Sequence, residues 1–267
     1  MNKKIAVIGV GNMARAIING VLSSDVDVDR FFVYDKNDGA YSLLQPSDKI
    51  AVANSIREAI ADADCVLLSV KPQNFPDVLG EIGNVKDHEI KLYITIAAGI
   101  TSKSVSEALG GAVVVRVLPN LPMTIGKGIS AICKNPAACD NDIEFVNNVF
   151  ASAGSTVMID ESEMNRIIGV TSSSPAYVFK FINAICKGAE AQGLDGKALI
   201  ETVCDMVIGS AELLKASDCS PEELMSRVAS KGGTTEQALL CLDEKGFDEA
   251  ISEAMLRCTK RADELGK

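Results

Sequence analysis

Histidine is nearly missing from this chain: the single one, His88, stands among Lys86, Asp87, Glu89 and Lys91. That setting predicts an exposed, charged loop, so chemistry that relies on a catalytic histidine is not expected. The eight cysteines, at Cys65, Cys133, Cys139, Cys186, Cys204, Cys219, Cys241 and Cys258, contain no CxxC pair, and one histidine cannot complete a zinc set. Most lie in apolar runs and are expected to be reduced, buried thiols of a cytoplasmic protein. Positive charge is also in deficit, with a formal net charge of −10. Nucleic-acid backbones call for a surplus of Lys and Arg, so that partner class is excluded and a small molecule is sought instead. No apolar run reaches the roughly 18 uncharged residues of a membrane span. The apolar stretch from Ile5 to Val10 is too short for a secretory core and lacks a small-residue cleavage site, so the chain reads as soluble and untargeted. No repeat or low-complexity segment stands out.

What is present is a division into two textures. With 267 residues there is length for two domains, each with its own core. From Lys4 to about Asp160, short β-branched runs alternate with helix-length segments, which predicts βα units feeding a parallel sheet. The strands are expected at 5–8, 30–34, 64–69, 91–96, 112–117, 128–133 and 155–159. Several are apolar throughout, as in a sheet covered on both faces. Beyond Asp160 the periodicity turns helical, with helices expected at 175–192, 196–216, 221–229, 235–244 and 247–265. The expected fold is therefore α/β: an N-terminal doubly wound dinucleotide-binding sheet over residues 1–160 and an all-helical domain over 161–267. The apolar stretch from Val203 to Leu214 covers more of a helix than one small bundle can bury, which predicts a homodimer through the helical domain.

Gly9-Val10-Gly11-Asn12-Met13-Ala14 follows the first strand and opens a helix, matching G-x-G-x-x-A in the context that gives the motif meaning. Gly9 allows the tight turn, Gly11 lets a pyrophosphate approach the backbone, and Ala14 lets helix and strand pack. The free N–H groups of the helix start then hold the anion. Asp35 ends the second strand, where an acidic side chain accepts from an adenosine 2′-hydroxyl and favours NADH. Lys36 beside it is suited to neutralise a 2′-phosphate and so to favour NADPH, and both readings stay open. Val70-Lys71-Pro72 and Ala97-Ala98-Gly99 close two further strands at their carboxyl ends, the edge where such sheets bind ligands.

A second candidate site is the stretch Ser230-Lys231-Gly232-Gly233-Thr234-Thr235, just before a helix expected to begin near Thr235. Two glycines free the backbone to turn N–H groups inward, and the helix start adds partial positive charge. With Gly11 assigned to cofactor phosphates, this second nest suggests a substrate carboxylate; an ordinary loop with a Thr N-cap is the plainer reading. Arg116 to Pro122 leaves a strand with two prolines that stiffen the loop. Ser174 reads as N-cap and Pro175 as the first residue of the following helix.

Taken together, the Gly9–Ala14 fingerprint, Val70-Lys71-Pro72, Ala97-Ala98-Gly99, the Arg116–Pro122 loop, the Ser172–Tyr177 helix start and the Gly232–Thr235 nest resemble pyrroline-5-carboxylate reductases in order and spacing, across nearly the whole chain. The resemblance implies an interlocked dimer, often a ring of five dimers, with the active site between the sheet edge and the helical domain. It implies that Asp35, Lys36 and Asn54 surround the adenosine ribose of NADP or NAD. It further implies that Val70 to Pro72 with Ala97 and Ala98 line the path to the nicotinamide, and that Thr234 and Thr235 meet a cyclic imino acid. Lys231 departs from the family's usual proline. The expected chemistry is hydride transfer to a C=N carbon, with Thr235 hydrogen-bonded to the ring nitrogen. Rival readings are another cyclic-imine reductase, a hydroxyacid dehydrogenase using Lys180 and Asn183, and a nucleotide-binding protein without turnover.

Overall fold

Strand β1, Lys3–Ile8, shows how the sheet is built: Ile5 and Val7 point to one face, Ala6 and Ile8 to the other, and all four are buried. A strand that is apolar on both sides must be covered on both. Ile5 and Val7 pack with Ile17, Ile18 and Val21 of α1 (Asn12–Leu22). Ala6 and Ile8 share the other layer with Ile56 and Ile60 of α2 (Ile56–Ala61). The protein is described by a computed structural model over residues 3–133 and 135–266.

The remaining strands are β2 (Val28–Tyr34), β3 (Ile50–Val52), β4 (Cys65–Leu68), β5 (Leu92–Thr95), β6 (Val113–Leu118), β7 (Gly128–Cys133) and β8 (Gly154–Ile159). They form one sheet in the order β3-β2-β1-β4-β5-β6-β7-β8. Chain order reverses between β1 and β4, which leaves a crevice at the carboxyl ends of those two strands. The helices of this part are completed by α3 (Phe75–Ile82), α4 (Ser102–Ala108) and α5 (Asp140–Ala151), and the chain continues into α6 (Met164–Ile167).

Two features of the sheet differ from the sequence expectation. Strand β3 was not expected: it is three residues long, sits at an edge and leaves Val52 exposed, so it has too little apolar signal to stand out. The sheet is also mixed, because β6 and β7 pair antiparallel. Residues 119–127 hold only a short 3₁₀ turn over Leu121–Ile125 and no helix that could carry the chain back for a parallel crossover.

The chain forms two compact units. One runs to Ser173 and takes up the chain again from Met255; the other is Ser174–Ala254. After β8, the described residues contain no further strand. The helices there are α7 (Ser174–Ala191), α8 (Ile200–Ala216), α9 (Pro221–Val228), α10 (Thr234–Glu244) and α11 (Phe247–Leu265). Ser174 is a helical residue rather than a cap. A π-helical turn over Ile168–Ser172 precedes α7, and Ser173 N–H donates to the Ile168 carbonyl, so the helix has no fresh start to cap. No helix among the described residues is long and apolar enough to cross a membrane.

Candidate active site

The turn after β1 is set by three contacts. Gly9 has a φ of +93°, and a Cβ there would lie 2.8 Å from the Ser69 carbonyl oxygen, so only glycine suits the position. Gly9 N–H donates to the Tyr34 carbonyl at 2.8 Å, and Val10 N–H donates to Asp35 Oδ2 at 2.7 Å. The end of β2 thereby holds the turn from below. Gly11 caps α1, and a Cβ added to it would meet nothing within 4 Å. The backbone there faces open space at a helix start, a cradle that suits an anionic pyrophosphate.

Beside this turn lies a cavity of about 220 Å³. Gly9, Gly11, Asp35, Lys36, Val70 and Lys71 line it, as the sequence suggested, and Tyr34, Ser69 and Asn74 join them. Asn74 was missed because it belongs to a 3₁₀ turn after Pro72 that carries no periodic signal. The other expected residues lie around the cavity rather than in its lining. Asn12 is exposed and hydrogen-bonded to the Arg15 guanidinium, Met13 is half-buried, and Ala14 is buried against the sheet. Asn54 is exposed, and its side chain and N–H both donate to Glu58. Pro72 starts the 3₁₀ turn; Ala97 is buried in the core layer under the sheet, and Ala98 is half-buried at its edge.

Arg15 was not anticipated. Its guanidinium donates to the Val10 carbonyl at 3.2 Å, which places a cation one turn from the helix start. Asp35 has both carboxylate oxygens engaged, the second by Asn37 N–H at 2.9 Å. Lys36 is exposed and has no ion pair or hydrogen bond among the described residues.

In the helical unit, Gly232 turns the loop with a φ of +74°. Gly233, not a threonine, is the N-cap of α10, since the helix begins one residue early at Thr234. Gly233 N–H donates to the Ser230 carbonyl at 2.9 Å and Gly232 N–H to Glu236 Oε2 at 2.7 Å. The N–H groups of Thr234 and Thr235 have no partner among the described residues and remain available to an anion. Lys180 and Asn183 are exposed on α7.

The chain is 34% identical over 269 residues to the pyrroline-5-carboxylate reductase of Escherichia coli, covering the whole of both chains. The chain belongs to the pyrroline-5-carboxylate reductase family. The pyrroline-5-carboxylate reductase dimerisation family matches residues 161–265, and the family described as NADP oxidoreductase coenzyme F420-dependent matches residues 4–99. Among solved structures, the reductase of Streptococcus pyogenes superposes with a TM-score of 0.89 at 29% identity, covering 98% of this chain and 99% of that one. The Plasmodium falciparum pyrroline carboxylate reductase, solved with NADP bound, gives 0.88 at 26% identity, covering 100% and 99%.

Within this member of the pyrroline-5-carboxylate reductase family, the Arg116–Pro122 segment serves the frame around the sheet edge. Buried Arg116 pairs with Glu161 at 3.0 Å and donates to Asn165 Oδ1 at 2.6 Å. Glu161 also accepts from Ser102 Oγ at 2.8 Å and from Cys133 Sγ at 3.1 Å. Burial raises the Glu161 pKa, but the hydrogen bonds from Cys133, Ser102 and Arg116 and the arginine's charge outweigh it and hold the carboxyl below its ordinary value. Burial pushes the Cys133 thiol up to about 12. Asn120 bridges two strands of chain, donating to the Thr171 carbonyl at 3.0 Å and accepting from Ile129 N–H at 2.9 Å. Ser172 Oγ donates to the Pro119 carbonyl at 3.4 Å, so the π-turn is tied to the same loop.

Proposed function

We propose that this protein reduces 1-pyrroline-5-carboxylate to L-proline with NADPH as the preferred hydride donor. The observation that carries the reading is the likeness to the Escherichia coli reductase across the full length of both chains, which spans the Gly9 turn and the Gly232 loop alike. Residues 1–160 serve as the dinucleotide-binding domain and 161–267 as the substrate and dimerisation domain.

Gly9, Gly11, Asn12, Met13 and Ala14 form the pyrophosphate turn, with Asp35, Lys36 and Asn54 toward the adenosine ribose. Val70, Lys71, Pro72, Ala97 and Ala98 flank the nicotinamide. Bound there, the reduced nicotinamide supplies the hydride that the imine carbon accepts. NADPH is favoured because both Asp35 oxygens already accept backbone N–H groups while Lys36 is free to face a 2′-phosphate.

Ser230, Gly232, Gly233, Thr234 and Thr235 hold the substrate carboxylate. The Thr235 hydroxyl hydrogen-bonds the ring nitrogen and steadies it as it becomes an amine. A protonated imine is already electrophilic, so the chain's residues mainly orient the ring and exclude water. A second copy of the chain covers the apolar side chains that the helical unit leaves exposed, among them Phe179, Phe181, Ile208 and Leu213. The resulting homodimers assemble further, up to a ring of five dimers. The eight free thiols suit a reducing compartment, the cytoplasm.

Product analysis tests the proposal. Incubation with pyrroline-5-carboxylate and NADPH is expected to yield proline in step with NADPH consumed; cofactor consumption without proline contradicts it.

A further inference from the structure

At the start of α10 a carboxylate already lies on the loop that the substrate reading assigns to a carboxylate. Gly232 N–H donates to Glu236 Oε2 at 2.7 Å. A glutamate at the third position of a helix ordinarily reaches back to the N–H of the capping residue. Here that residue is Gly233, whose N–H is taken by the Ser230 carbonyl at 2.9 Å, so Glu236 reaches one residue further, onto the loop itself. Glu236 is half-buried and forms no ion pair among the described residues. Lys231, next to the loop glycines, is exposed and likewise unpaired. Nothing within 4 Å would obstruct a Cβ on Gly232, so the loop faces open space where a second anion can approach.

We propose that Glu236 limits the loop's affinity for its substrate: it is a resident competitor that the substrate carboxylate must displace from Gly232 N–H. The inference rests on the substrate reading above. Two carboxylates on one nest repel each other, and the resident one, being tethered, holds a high effective concentration. A ligand gains the loop only if its carboxylate contacts, including Thr234 and Thr235 N–H, are supplemented by contacts to its ring. The tethered competitor weakens every carboxylate by the same factor, so a ring acid is bound less tightly than an empty nest would bind it and a carboxylate without further contacts is too weak to hold the loop.

The experiment compares the wild type with Glu236→Gln and Glu236→Ala. Glutamine serves the helix start as glutamate does but carries no charge, so it separates the competitor from a mere cap. Initial rates are measured against pyrroline-5-carboxylate and against 1-pyrroline, the same ring without the carboxylate, and L-proline affinity is measured by calorimetry without cofactor. In both variants the KM for pyrroline-5-carboxylate and the Kd for proline are expected to fall roughly threefold to tenfold, with kcat and the KM for 1-pyrroline unmoved. The inference is overturned if Glu236→Gln matches the wild type while Glu236→Ala raises KM and lowers Tm, which is the signature of a cap. It is equally overturned if both imines gain alike. A wild type that turns over neither imine removes the substrate reading and this inference together, whereas an active wild type with an unchanged Gln variant removes only the inference.

Discussion

Single residues divide into those that shape the backbone and those proposed to meet a ligand, and Gly11 falls on the second side. Its neighbour Gly9 is required by the turn itself, since any Cβ collides with Ser69. Gly11 has free space, so Gly11→Ala is expected to leave Tm unchanged while weakening NADPH binding about tenfold or more, as read by fluorescence titration. A joint loss of Tm would mean the glycine is structural. Lys36→Ala is expected to lower the ratio of NADPH to NADH efficiency about tenfold. The tight turn at Gly9 was legible from spacing alone. The proposed preference for NADPH was not, because it is argued from the Asp35 oxygens being engaged by Val10 N–H and Asn37 N–H, contacts that no spacing announces. Thr235→Ala is expected to reduce kcat/KM for the imine about tenfold to a hundredfold with cofactor affinity retained, measured by initial rates and titration.

Between elements, the buried polar contacts matter most. Asn120 joins the loop after β6 to β7 and to the π-turn, and Asn120→Ala leaves Thr171 O and Ile129 N unpaired. That is expected to cost about 2 to 4 kcal/mol in urea unfolding. Glu161 links β6, β7 and α4 through Arg116, Cys133 and Ser102. Because its folded pKa lies below the ordinary 4.5, its contribution is complete above that value and is lost as pH falls through the folded value. Thermal melts between about pH 7 and about pH 4 are expected to show a drop that is smaller in Glu161→Gln. Ser102 and Glu161 lie 59 positions apart, so no local pattern announces their contact. The prolines at 119 and 122 did mark a stiff loop, but not that it turns the chain antiparallel. Strands β1 and β4 to β6 were legible because their apolar β-branched runs are covered on both faces, and β2, β7 and β8 from apolar runs that are less fully covered, whereas three-residue β3 was not.

At the scale of the whole molecule, the two textures of the sequence carry the two halves of the proposed chemistry, a nucleotide turn and a carboxylate nest. The boundary between units was less legible. The helical text begins after Asp160, but the first unit extends to Ser173 and recovers the chain at Met255, because Ile168 and Cys258 pack with Leu118 and Cys133. The nest was read from two glycines before a helix; its resident carboxylate was not, since Glu236 reads as an ordinary first-turn acid. The most direct test is the initial rate of NADPH and NADH oxidation, each with pyrroline-5-carboxylate and with its six-membered analogue. Rapid turnover of the five-membered imine, faster with NADPH, is the predicted result. Measurable cofactor binding with no turnover of either ring would contradict the account.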